Sequence, residues 1–286
     1  MTQNSETNQA ELPGSVGETE IVHESTIFAE PILHIGSFPI TNSLLNSWLV
    51  ILILLILALA IKSRIRQIPR GIQNALEAVF EMFLGVFDPI TGSRERSYKF
   101  LPFILCFFFF ILISNWMGLL PGVGSVGQVV AEHGEKVFVP YFRGGTADLN
   151  TTLALAIFGV VASHIFGIMA LGGWYYLNKF INLKALFEIP KKFLKDPTII
   201  IVNPIKVFVG VIEIVGEAAK VASLSLRLFG NIFAGEVLLA SMSAILAFGI
   251  PIPFIFLEII IGLVQALIFS ILILAYLTMN TNAEEH

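Results

Sequence analysis

Three polar residues interrupt a stretch that is otherwise apolar enough to lie in lipid. Arg227, Asn231 and Glu236 fall inside "SLSLRLFGNIFAGEVLLA", residues 223–240, and Glu213, Glu217 and Lys220 precede it. An arginine stays protonated at any physiological pH, so it cannot relay a proton, but it can hold an opposing carboxylate ionised. Placing it at mid-membrane costs on the order of 3 kcal/mol or more. That cost argues for ion handling over packing. The alternative is a buried ion pair with Glu213 or Glu217, each about two turns or more from Arg227 along a helix.

On a helical wheel with Arg227 at the origin, Lys220 falls at about 20°, and Asn231 and Glu213 at about 40°. Ser223 falls at about −40°, Glu217 at about 80°, and Gly216, Gly230 and Ala234 within about 60° of the origin. One face is therefore both polar and narrow, which lets a second helix approach closely. On this phase Ser223 and Leu224 are expected to meet that helix, with Leu226 toward the opposite side. Glu236 falls at about 180° and belongs to another environment.

The last apolar run carries its own polar stripe. Glu258, Gln265 and Tyr276 lie within about 20° of one another. Antiparallel packing through "FGIPIPF", 248–254, brings the region of Glu258 beside that of Glu236. Two carboxyls in one buried pocket do not both ionise easily, which suits groups that take and give protons. Asp148 is a further candidate; with Asn150 it is also suited to starting and capping a helix. Ser163 and His164 read more readily as bundle-interior hydrogen bonders, as does Asn115.

The elements that must position these groups are membrane spans. Of the 286 residues, 56% are hydrophobic and 13% charged, against about 25% charged in a soluble domain. The fold class expected is an all-α integral membrane protein. Spans are expected at about 44–61, 100–120, 149–175, 204–247 and 252–279, and together residues 44–286 form one channel domain. The last two spans form a long tilted hairpin. The fourth is about 44 residues, or roughly 65 Å at 1.5 Å per residue, against a hydrocarbon core of about 30 Å. It must be steeply tilted or broken.

Residues 71–88 differ. Ile72, Ala75, Leu76, Val79, Phe80, Phe83, Leu84 and Phe87 recur every three or four positions, opposite Gln73, Asn74, Glu77, Glu81 and Asp88. This amphipathic helix is expected to lie flat at the interface, with docking on protein as the alternative. Residues 1–43 contain six Glu and no Lys or Arg. They are expected to be an acidic, loosely ordered, outward-facing tail and are unlike a cleavable signal. Lys and Arg collect at 62–70 and 179–206, which places those loops and the C-terminus in the cytoplasm and the N-terminus outside.

The net charge of −4 speaks against nucleic acid. The single Cys106 lies in an apolar run, so there is no disulfide framework. No nucleotide loop, HExxH or Cys/His cluster is present, so no catalytic site, cofactor or metal is expected in this chain. A secondary transporter would show paired repeats about a midplane site, and none is visible. A pure scaffold would leave Arg227 unexplained.

The core "SLSLRLFGN", with "NWMGLLPG" at 115–122, "ADLNTTLALA" at 147–156, "LVQALIF" at 263–269 and "AYL" at 275–277, resembles subunit a of the F-type ATP synthase over most of the chain after residue 40. The resemblance implies a bacterial inner-membrane proton channel that works as a stator. Its partners would be the c-subunit ring, the b-subunit stator stalk and the remaining F-type ATP synthase subunits, in a lipid membrane. Arg227 matches the arginine that faces the ring carboxylates and prevents leakage between two offset half-channels. Asn231, Glu236 and Gln265 match the outer half-channel, and Glu213 and Ser223 the inner one. Glu258 stands where some members carry His, and Gly118 where some carry Asp, so Asp148 is a substitute for the proton inlet.

Overall fold

The computed structural model describes residues 26–63, 70–132, 135–174, 176, 199–245, 249 and 251–282. Among them, five helices are long and apolar enough to cross a membrane. They are α1 (Asn42–Lys62), α3 (Arg94–Met117), α4 (Leu149–Leu171), α5 (Ile199–Ile245) and α6 (Pro251–Thr281). The amphipathic α2 (Ile72–Thr91) precedes α3. The all-α membrane architecture therefore holds, with boundaries differing from the expected ones by a few residues. The basic stretch 64–69, most of the basic 179–206 loop and the terminal segments 1–25 and 283–286 lie outside the described residues.

Helix starts follow from local capping. Thr41 Oγ1 accepts from Leu44 N at 3.3 Å, and Ser93 Oγ accepts from Arg96 N at 3.3 Å. Asp148 Oδ1 accepts from Asn150 N at 3.1 Å. Each satisfies an amide that the first turn leaves without a helical partner.

α2 uses its apolar face for protein contact. Phe83, Leu84 and Phe87 are buried in the main core with Phe108, Ile111, Phe269 and Ile273. The ring of Phe83 meets that of Phe108 edge-on at 4.7 Å. The C-terminal half of this face docks on the bundle, while Ile72 at its start is 63% exposed. Phenylalanines on α3 supply complementary rings, and burying such side chains is worth roughly 1.5–3 kcal/mol each.

Two hairpins lie outside the expected spans. β1 (Pro31–Ile35) pairs antiparallel with β2 (Phe38–Thr41), inside the presumed acidic tail. β3 (Gly127–Glu132) pairs with β4 (Glu135–Pro140), inside the α3–α4 loop. Asn42 Nδ2 donates to Pro140 O at 3.4 Å, and Leu149 N donates to Ile27 O at 3.3 Å. Both hairpins thus share one end of the bundle, here the hairpin end. Lys62, Arg94 and Thr281 lie at the other, or far, end.

α5 is one unbroken helix of 47 residues, or about 70 Å. The choice between tilted and broken is thereby resolved against a break. Gly249, at φ +97°, lies in the connection to α6, in the left-handed region that glycine enters without strain.

Candidate functional site

α5 and α6 pack against α3 and α4 and leave a cavity of about 820 Å³ near the hairpin end. Its wall includes Asn115, Gly118, Arg143, Glu236 and Glu258. The expectation that Glu236 and Glu258 share one pocket is met in the geometry. The Glu258 carboxylate lies against Gly235, where any Cβ would collide with it. Only 5% of Glu258 is exposed, and among the described residues no ion-pair or hydrogen-bond partner faces it.

Glu236 is held differently. Arg143 Nε donates to its Oε1 at 3.0 Å, and Arg143 Nη2 donates to its Oε2 at 3.0 Å. This bidentate geometry suits guanidinium and carboxylate. Arg143 is itself buried, and its Nη2 donates to Thr26 O at 2.7 Å. It therefore ties the N-terminal segment to α5. In sequence Arg143 is only one charge of a mixed loop, in "FRGGTADLN". The pair changes the reading of Glu236 as a freely relaying acid, because the carboxylate already has a dedicated cation.

Asp148 is 3% exposed and serves as a cap. Its Oδ2 accepts from Thr151 Oγ1 at 2.9 Å, and its Oδ1 accepts from Ala29 N at 3.2 Å. It is not part of the cavity wall, whereas the adjacent Ala147 is. Gly118 permits close approach of the α3 end to the loop. A Cβ there would come within 3.2 Å of Gly144 Cα. Asn115 donates from Nδ2 to Gly262 O at 2.9 Å and accepts from Thr146 Oγ1 at 2.5 Å, so it joins α3 to α6 as expected. Gln265 is 8% exposed and follows Glu258 by about two turns on α6.

A second polar cluster lies toward the far end. Lys220 Nζ donates to Glu217 Oε1 at 2.7 Å, and His164 Nε2 stands 3.4 Å from Glu217 Oε2. His164 Nδ1 and Tyr176 Oη are 2.5 Å apart. Lys220 Nζ also lies 5.1 Å from the Tyr276 ring centre, a cation–π distance. Burial first, then the charges of Glu217 and Glu213, push the Tyr176 phenol up from its ordinary range, so it stays a neutral hydroxyl. His164, Glu217 and Lys220 were undervalued in the sequence because they lie on two different helices. Among the described residues no three His, Cys, Asp or Glu side chains gather as a metal site would require.

Arg227 lies between the clusters, ten residues past Glu217 and nine before Glu236, or about 15 Å and 14 Å along the axis. Its Nη2 donates to Ser223 Oγ at 3.4 Å. Among the described residues it has no carboxylate partner. The ion-pair alternative is thus not what the fold adopts, since Glu217 is engaged by Lys220 and His164. Ser223, Asn231 and Ala234 are exposed with Arg227, and a Cβ at Gly216 or Gly230 would meet nothing within 4 Å. One detail of the helical phase needs correction. Leu224 is 1% exposed and packs in the core, while Leu226 is 56% exposed. The packing face runs through Leu224, Ser225, Leu228 and Gly235, so the open arc is wider and extends past Leu226.

This is a helical membrane protein with one long helix that carries, between two acid-bearing clusters, an arginine with no carboxylate partner among the described residues. A family model described as the ATP synthase A chain matches residues 44–278. The chain is 30% identical to ATP synthase subunit a of Moorella thermoacetica over 246 residues, covering 86% of this chain and 93% of that one. It is 31% identical to ATP synthase subunit a of Trichlorobacter lovleyi over 86% of this chain and 89% of that one. Against ATP synthase subunit a of Mycobacterium ulcerans it is 32% identical, over 86% of this chain and 88% of that one. The chain belongs to the ATP synthase subunit a family.

Proposed function

We propose that this chain is the stationary proton channel of an F-type ATP synthase, passing protons to and from carboxylates on a rotating c-ring through two offset half-channels. The observation that carries the reading is Arg227. It is a permanently charged side chain, exposed on a membrane-length helix and, among the described residues, left without a carboxylate. A mid-membrane guanidinium in that condition is expensive unless a partner supplies the counter-charge. The open strip of Gly216, Ser223, Gly230 and Ala234 offers room for such a partner helix.

Glu258, with Gln265 and Asn231, forms the outer path from the cavity to the ring. Glu213 and Ser223 belong to the inner path. Glu236 shapes the outer vestibule through Arg143, and Asp148 acts through its cap rather than as an inlet. Arg227 holds the ring carboxylate ionised as it passes and blocks direct leakage. Each proton crossing is worth about 2.3 kcal/mol per 100 mV, so several are needed per ATP. The chain supplies no catalytic site of its own. The b-subunit stalk and the other subunits of the complex hold it still, in a bacterial plasma membrane.

The deciding experiment is Arg227→Ala in the whole complex, with ATP-driven proton pumping measured in inverted vesicles beside complex yield. The expected result is normal assembly with pumping lost. Normal pumping would overturn the channel reading. Sidedness is tested separately with an impermeant thiol reagent on intact cells. Phe38→Cys should label and Asn282→Cys should not, which puts the hairpin end outside.

A further inference from the structure

The cluster around His164 was not assigned to either half-channel, yet it holds four titratable groups between α4, α5 and the residues after α4. We propose that His164 and Glu217 form the proton-release pair of the inner half-channel, with Tyr176 as the residue that positions the imidazole. This rests on the channel reading above and names the residues through which its inner side would discharge.

The geometry places an imidazole of fixed orientation beside a carboxylate, at ion-pair distance. Nε2 of His164 faces Glu217 Oε2 at 3.4 Å, while Nδ1 is bound to Tyr176 Oη. Tyr176 is 3% exposed, and its ring lies against Gly167, where a Cβ would come within 2.6 Å of it. The phenol is therefore locked, and it locks the imidazole in turn. Ser163, the neighbour of His164, accepts from Asn280 Nδ2 at 2.9 Å, which fixes the same turn of α4 against the end of α6. The side chain of His164 is 23% exposed and that of Glu217 is 13% exposed. The pair thus borders both the interior and an accessible surface.

The proton balance is simple. In this cycle the pair carries one transferable proton between His164 Nε2 and Glu217 Oε2. A proton released by a ring carboxyl on the inner side of Arg227 is taken up by Glu217. The pair then holds two protons beside the Lys220 cation, and like-charge repulsion from Lys220 favours loss of one. That proton leaves from His164 to water, and the pair returns to its resting state. No bond other than O–H and N–H forms or breaks. Among the described residues, Glu217 and Tyr176 meet the imidazole, Lys220 pairs with Glu217 and lies over the Tyr276 ring, and the charge of Glu213 acts on the Tyr176 phenol. Glu217 is the only acid among them at ion-pair distance from His164 among the described residues.

The test uses the assembled complex in inverted vesicles, whose accessible face is the inner one. ATP-driven pumping is measured from pH 5.5 to 8.5 for the parent, His164→Gln, Tyr176→Phe and His164→Ala with added imidazole. His164→Gln should lower pumping about tenfold, less than the roughly hundredfold or more of a lost general acid–base group because Glu217 remains to carry protons, and flatten its pH profile. Imidazole should restore a measurable part of the rate in His164→Ala, which a purely structural role would not allow. Tyr176→Phe keeps the ring and should shift the pH profile with a loss of roughly threefold. A parental rate and pH profile in His164→Gln overturn the proposal. Should that variant not assemble, an unchanged profile in Tyr176→Phe overturns it equally. Arg227→Ala separates the two levels. Loss of pumping there with normal His164→Gln defeats only the release pair, whereas normal pumping in both defeats the channel reading itself.

Discussion

The two polar clusters along α5 are built in opposite ways. Toward the hairpin end, Glu258 lines a cavity of about 820 Å³, and the one cation on its wall among the described residues, Arg143, is committed to Glu236 and the N-terminal segment. Toward the far end, Glu217 is gripped by Lys220 and His164 in a packed cluster. Open space beside an acid allows water to reach it, while a tight cluster of opposite charges passes protons only through its own members. The comparison indicates a wide aqueous vestibule on one side of Arg227 and a narrow side-chain relay on the other.

The largest expected effect that would break this contrast is at Glu258. Glu258→Gln should reduce pumping by about a hundredfold with normal complex yield, the scale of a lost general acid–base group. Pumping at the parental rate would remove Glu258 from the path. Gly235→Ala should be nearly as severe for function, because the new methyl occupies the place of the Glu258 carboxylate. The displaced group is the end of a flexible side chain, so the stability cost should stay below the about 1–3 kcal/mol of core overpacking. Thermal stability and pumping of the purified complex check both halves.

Arg143 gives a sharper, smaller signal. Arg143→Ala leaves the Glu236 carboxylate half-buried and alone, and breaking such a pair typically costs about 3–5 kcal/mol when fully buried. The part-exposed Glu236 scales that down, so a loss of about 2 kcal/mol is expected. Adding Glu236→Gln should recover part of it. A double variant no more stable than Arg143→Ala would show that Arg143 acts through the N-terminal segment instead. Disulfide crosslinking to a ring helix tests the corrected phase of α5. Ser223→Cys should crosslink, and the buried Leu224→Cys should not. Asp148→Asn is expected to matter least, since Asn also caps helices well. A large loss of pumping with intact stability would restore Asp148 as an inlet.

Much of this architecture was legible because lipid imposes strict rules on sequence. Backbone amides in hydrocarbon must be satisfied within a helix, so span length and apolarity can be read directly from "LLNSWLVILILLILALAI" and its counterparts. The cost of an intramembrane charge likewise made Arg227 stand out before any contact was known. The hairpins at 31–41 and 127–140 were not legible, since short two-stranded ribbons at the water boundary carry weak periodic signals.

By itself, the sequence determined the class of protein, the number of spans, and the order of polar groups along α5, because each depends on residues close in the chain. Only the tertiary structure decided which acids are free and which are spoken for. Arg143 and Glu236 are 93 residues apart in sequence, and His164 and Glu217 lie on different helices. Helical phase places a side chain on a face but says nothing of what covers that face. The packing of α5 against α4 and α6 buried Leu224 and exposed Leu226. The same packing left Glu258 beside open space and closed Glu217 into an ion cluster.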